Sequence, residues 1–182
     1  MAQFKAFAPG VEVRGDVVLS FVDVMGAFKS LAEGILEDNG IKDPSPEGWY
    51  LQQAWLNSFK TITEQIGPNT LFQLARQIPL SAGASKLYGN IDTLETALFV
   101  LDEAYRSSHR GGEVGHYIFV KTGERSGQMH TMNPYPCDFD RGLLDSLTRR
   151  FEPVNPYLDV FHNDQAPCKK SGADSCTYTI AW

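Results

Sequence analysis

The chain carries three cysteines, Cys137, Cys168 and Cys176, and these are its softest metal-binding side chains. Cys168 and Cys176 stand eight positions apart in CKKSGADSCTYTIAW, with a basic, glycine-containing turn between them. Cys137 lies upstream in NPYPCDFD. Thiolates joined by imidazole or carboxylate bind zinc in a tetrahedron, and a structural site needs four ligands. Four histidines and Glu113 are available to complete such a set. Cys137 also sits at the start of a predicted helix, where unpaired N–H groups favour a thiolate. The competing reading is three small buried hydrophobes, the common state of free cysteine. The seven-residue gap between Cys168 and Cys176 is not a short zinc-finger spacing, so composition leaves both readings open.

A second dense patch is YRSSHRGGEVGHY, residues 105 to 117, with His109, Glu113 and His116 close in sequence. A Glu–His set can do acid–base work, and it equally forms structural hydrogen bonds at a helix-to-strand junction. Glu113 is more attractive as a metal ligand, because it precedes the first long strand and neighbouring strands could bring it near the last. The chain has no GxxxxGK[ST] phosphate cradle, GxSxG nucleophile turn, HExxH zinc helix or GxGxxG dinucleotide turn. No residue is assigned a catalytic role. The aromatics Trp49, Tyr50, Trp55, Phe59, Phe72, Phe99 and Tyr105 fall on predicted helices, where they build core or line an apolar pocket.

These side chains need a scaffold, and 182 residues suffice for one domain with a real core, residues 1 to 182. A hydrophobic content of 42% and a charged content of 21% are ordinary for a globular protein. The net charge of -6, with basic residues scattered, argues against nucleic-acid binding. The start MAQFKAFAPG lacks the apolar run of a secretory signal, and no stretch approaches the roughly 20 apolar residues of a spanning helix. The expected setting is cytoplasmic, where thiols stay reduced.

Val17, Phe21, Val24, Phe28, Leu31 and Ile35 recur at helical steps and predict one long helix over 17–38, ended by Asn39-Gly40. Its apolar surface is wide enough for a homodimer interface. Further helices are expected from Trp49 to Gln65, from an Asn69 cap to Ile78, and from an Asp92/Glu95 capping box through Tyr105. Pro79 and Pro153 are expected stops. Val11 to Asp16 is either a short strand or a turn. Strands are predicted at 116–121, 128–133, 157–162 and 175–182, with a helix, CDFDRGLLDSLTRRF, inserted among them. In the last strand Cys176, Tyr178, Ile180 and Trp182 share one face, and the strand is expected to run inside the fold. Helices followed by an antiparallel sheet with one inserted helix is an α+β arrangement.

The ending GADSCTYTIAW, Cys168 eight residues earlier, Cys137 and Glu113 ahead of a strand together resemble the 4-vinyl-reductase-type small-molecule-binding domain. The likeness is clearest over residues 92 to 182. That domain occurs in phenol-responsive bacterial activators and in pigment-biosynthesis proteins. It shares its fold, the NO-signalling/Golgi-transport ligand-binding fold, with haem-NO-binding domains and TRAPP trafficking subunits. The resemblance implies a structural zinc held by Glu113, Cys137, Cys168 and Cys176. It also implies an apolar pocket, for which Trp55, Phe59, Phe99, Tyr105 and His116 are the candidates, holding a small apolar or aromatic ligand. The function implied is a sensor that signals to a partner through a homodimer. The alternatives are a reductase or accessory factor in tetrapyrrole metabolism and a trafficking-type adaptor. The haem-binding relatives need a proximal His well before a YxSxR motif; here Tyr105 and Ser107 lead to His109, no His comes earlier, and haem is not expected.

Overall fold

A computed structural model describes residues 3–78, 90–152 and 154–182. It is α+β, with helices ahead of and packed on an antiparallel sheet. In chain order the elements are β1 (Glu12–Arg14), α1 (Gly15–Val24), α2 (Lys29–Asp38), β2 (Trp49–Leu51), α3 (Gln52–Gln65) and α4 (Pro68–Ala75). These are followed by α5 (Leu94–Ser107), β3 (His109–Arg110), β4 (His116–Gly123), β5 (Ser126–Met132), α6 (Cys137–Phe151), β6 (Asp159–His162) and β7 (Cys176–Ala181). Among the described residues no helix is long and apolar enough to cross a membrane.

The main sheet runs β4-β5-β7-β6, every pair antiparallel. β7 lies between β5 and β6, and its alternation gives it one covered face, on which Cys176, Tyr178 and Ile180 are fully buried. They share that face with Tyr117 and Phe119 of β4, Met129 of β5 and Val160 of β6. A smaller sheet, β2-β1-β3, ties the helical half together.

Several boundaries differ from the sequence reading, each for a local reason. The helix expected over 17–38 is broken between α1 and α2 by a 3-10 turn, Gly26–Phe28, because Gly26 takes a left-handed backbone with φ 50°. Trp49 and Tyr50 are strand residues paired with Arg14 and Val13, so the aromatic helix starts at Gln52. α4 begins at Pro68, following Gly67, instead of at an Asn69 cap. α5 is capped by Thr93, whose hydroxyl accepts the Thr96 N–H at 3.2 Å, in place of the Asp92/Glu95 box. Pro79 and Pro153 lie outside the described residues.

Two buried clusters result. One gathers Phe21, Trp55, Phe59, Ile62 and Leu71 from the helical half with Tyr135 and Phe139. The other joins Leu94, Leu98 and Leu101 of α5 to the inner face of the sheet. α6 is the element they share, since it gives Phe139 to the first and Cys137, Leu144 and Leu147 to the second. It lies close against α4 because residue 142 is glycine: a Cβ there would stand 2.3 Å from the Phe72 carbonyl oxygen. That packing fixes where α6 begins, and Cys137 is its first residue.

Candidate functional site

The start of α6, the end of β6, the loop before β7 and the start of β7 converge on one point. There the donor atoms of Cys137, His162, Cys168 and Cys176 all lie within 4.8 Å of one another. The Sγ–Sγ separations are 3.2 Å for Cys137–Cys176, 3.7 Å for Cys137–Cys168 and 3.9 Å for Cys168–Cys176. Zinc–sulfur bonds of about 2.3 Å in a tetrahedron put sulfurs about 3.8 Å apart, so the thiols already approximate three corners. His162 shares its strand face with Val160 and pairs across the ladder with Tyr178, which aims the imidazole at the sulfurs. Its Nδ1 is held by Asp164 at 2.9 Å, while its Nε2 is buried without a hydrogen-bond partner. A carboxylate on one ring nitrogen and a bare second nitrogen is the usual posture of a metal-ligating histidine. The donor set therefore fits a tetrahedral thiophilic ion, a class that includes zinc.

The backbone prepares the same site for negative charge. The Lys169 N–H donates to Cys176 Sγ at 3.3 Å and the Lys170 N–H to Cys168 Sγ at 3.4 Å. The Tyr178 hydroxyl donates to the Cys137 carbonyl at 2.8 Å, and the Gln3 side chain accepts the Cys137 N–H at 3.0 Å. The Cys176 thiol is pulled below the ordinary range, first by its hydrogen bond with Cys137 and then by the Lys169 N–H and ammonium. Cys137 is pushed up by the same shared proton and by burial.

Beneath the thiols lies a buried ion pair that the sequence reading did not identify. Lys169 and Asp140 have no exposed surface and meet at 2.7 Å. The ammonium also donates to the Tyr135 carbonyl at 2.7 Å, Asn133 Oδ1 at 2.9 Å and the Asn133 carbonyl at 3.3 Å. Asp140 accepts in addition from the Tyr117 hydroxyl at 2.7 Å and from the Asn133 amide at 3.3 Å. Every strong hydrogen-bonding capacity of the pair is engaged, which is the condition under which a buried pair is tolerable.

The resemblance places Glu113 in the metal set; here Glu113 is exposed and its carboxylate accepts the Gly115 N–H at 2.7 Å. The fourth donor that the fold brings to the sulfurs is His162. Of the pocket candidates, Trp55 and Phe59 touch each other with ring centroids 4.5 Å apart. Tyr135 links Phe59 to Tyr105, at 5.8 and 6.1 Å. Phe99 and His116 are not drawn into this group. Phe99 is 56% exposed and packs edge-on against Phe119, while His116 alternates with inward Tyr117 and pairs with Met132.

His109 joins the interior aromatic group through both ring nitrogens. Nδ1 lies 2.7 Å from the Tyr105 carbonyl and Nε2 2.8 Å from the Tyr135 hydroxyl. A carbonyl only accepts, so Nδ1 carries the proton and neutral Nε2 accepts from Tyr135. Burial pushes the imidazole down from 6.5 to about 4, partly opposed by the bond to Tyr105. The unfolded chain therefore binds a proton that the folded one refuses between these two values. Stability is full above pH 6.5 and is lost as pH falls toward 4, by on the order of 3 kcal/mol. Urea unfolding of His109→Gln beside the parent at pH 7 and pH 4.5 should show the parent losing about 2–3 kcal/mol more than the variant.

His162, Lys169, Asp140 and Asp164 are the site residues that sequence reasoning missed. The signal for His162 was its position six residues before Cys168, at the end of a predicted strand. No family model matches the chain, and no curated protein matches it. Solved structures do. An Fe(II) H-NOX protein from S. oneidensis superposes with a TM-score of 0.68 at 15% identity, covering 92% of this chain and 95% of that one. An oxygen-binding H-NOX domain related to soluble guanylate cyclases gives 0.69 at 16% identity, covering 92% and 94%. A mutant H-NOX from T. tengcongensis gives 0.66 at 14% identity, covering 92% and 96%. The chain therefore has the fold of H-NOX domains.

Proposed function

We propose that this protein is a small-molecule-binding sensor domain of the 4-vinyl-reductase type whose C-terminal strands are clasped by a structural zinc. The observation that carries the reading is the convergence of Cys137, His162, Cys168 and Cys176 within 4.8 Å, with a buried His162 Nε2 that nothing else engages. Zinc bound by all four would have no open position, so its part is to cross-link the α6 start, β6 and β7 and not to activate water. His162 takes the place that the resemblance gives to Glu113.

The ligand is assigned to the interior between the helical half and the sheet, around Trp55, Phe59 and Tyr105. Gln52 there is fully buried, and its amide and the Trp55 Nε1 face the Tyr105 and Tyr135 hydroxyls without a well-formed hydrogen bond. Such atoms cost about 1–3 kcal/mol each unless something satisfies them. A small, largely apolar guest with one polar group would do so. One solved neighbour is described for its haem redox potential. Haem is not proposed here, because both nitrogens of His109 are engaged and the interior aromatics Trp55, Phe59, Phe139 and Tyr135 are in ring contact with one another. Cytoplasmic location and a homodimer through the α1–α2 region, where Phe28 and Leu31 are 65% and 44% exposed, complete the proposal.

Native mass spectrometry of protein purified without chelator tests it. The expected result is one zinc per chain, a dimer mass and a retained small molecule. Metal-free protein with three titratable thiols in the folded state would overturn the metal clasp.

A further inference from the structure

A cleft of ≈ 330 Å³ opens beside the thiolate cluster, lined by Cys137, Asp138, Arg141, Phe161, His162, Asp164, Cys168 and Lys170. Its size is at the lower end of the range for small-molecule sites, about 300–1,000 Å³. Most of its charged groups are already matched. Lys170 binds Asp138 at 2.8 Å, and Asp164 holds His162 Nδ1 at 2.9 Å. Arg141 is the exception. It stands one helical turn after Cys137 and, among the described residues, makes no ion pair. Its Nε is buried without a partner, and its guanidinium carbon lies 4.4 Å from the centre of the Phe72 ring. Stacking on a ring holds the plane of the fork but satisfies none of its N–H groups.

We propose that this cleft binds a small organic monocarboxylate, with its carboxylate on Arg141. A planar guanidinium presents parallel N–H groups that match a carboxylate in a bidentate pair, and a partly buried fork gains more from that match than an exposed one. Asp138, Asp164 and the thiolates make a second negative charge on the guest unfavourable, so the class is a monoanion and not a dicarboxylate or phosphate. The site is separate from the interior assigned to the sensor ligand, and it does not require that ligand.

Isothermal titration of zinc-reconstituted protein with benzoate, and with benzamide as the neutral isostere, tests the proposal. Saturable benzoate binding is expected, with benzamide at least tenfold weaker. Arg141→Met should weaken benzoate at least tenfold with unchanged zinc content, and Arg141→Lys should recover only part of it because an ammonium lacks the fork. Arg141→Gln provides a second arm if Arg141→Met fails to fold, and the same tenfold loss is expected because the cation is removed. Absence of saturable benzoate binding, equal affinity for benzamide, or benzoate affinity untouched by both substitutions overturns the site. Zinc content measured on the same samples separates that failure from failure of the metal clasp.

Discussion

Lys169→Met is expected to destabilise the fold by about 3–5 kcal/mol, because it leaves the Asp140 carboxylate buried without its cation. Neither partner has any exposed surface, so water cannot replace the lost ammonium without opening the structure. The substitution also removes donors to Tyr135 and Asn133, whose carbonyl oxygens are held from the same nitrogen. Asp140→Leu is expected to cost a similar amount, since it strands the ammonium and frees the Tyr117 hydroxyl. The double substitution Lys169→Met/Asp140→Leu should cost clearly less than the sum, because two apolar side chains leave no buried charge behind. Urea unfolding of the four proteins closes the cycle. A loss of about 3–5 kcal/mol corresponds to a drop in melting temperature of roughly 6–20 °C for a chain of this size. Additive losses would show that the pair is not the interacting unit that its geometry describes.

Metal withdrawal is the second large effect. Chelation of zinc from the parent should lower its stability, and restoring free zinc at a thousandfold excess over Kd should return about 4 kcal/mol. Cys176→Ala should bind no zinc and show no response to chelator or to added metal. Cys176 has that weight because it is fully buried, stands within 3.9 Å of both other sulfurs and receives the Lys169 N–H. Glu113→Gln should leave zinc content unchanged, as its carboxylate is committed to the Gly115 N–H. Atomic absorption with thermal melts in the presence and absence of chelator checks all three. Zinc binding that survives Cys176→Ala would remove this residue from the ligand set.

The two effects are mechanically linked. Lys169 follows one proposed ligand, Cys168, and its own N–H reaches another, Cys176. Its side chain then grips Asp140, on the helix that begins with Cys137. The proposed metal clasp therefore holds both ends of this loop, at Cys168 and Cys176, and the ion pair fastens its first end again through Lys169. Cys176→Ala and Lys169→Met combined should be less than additive for that reason.

Periodicity alone identified the elements that position this site. The alternation from Cys176 to Trp182 specified a strand with one inward face, because side chains at period two must take opposite sides of a sheet; its place between β5 and β6 is a matter of strand order that alternation does not carry. The step of four through Phe139, Leu143, Leu147 and Phe151 specified a helix starting near Cys137, which is the first residue of α6. The break at Gly26 was less visible: glycine is tolerated within a helix, and only its left-handed backbone here shows that the chain turns. Trp49 and Tyr50 read as helical because a three-residue strand is too short to show a period, and its pairing partner lies far away in sequence.

The amino-acid sequence by itself determined the α+β class, the inserted helix and the three sulfurs as the chemistry most in need of an explanation. Only the tertiary structure decided that His162, and not Glu113, stands with those sulfurs, and that Lys169 and Asp140 are a buried pair. The reason is physical. A ligand set is a matter of a few ångströms between atoms on different elements. Strand order and register, which bring residues 137, 162, 168 and 176 to one point, are fixed by how the whole core packs and leave no local mark on the residues themselves.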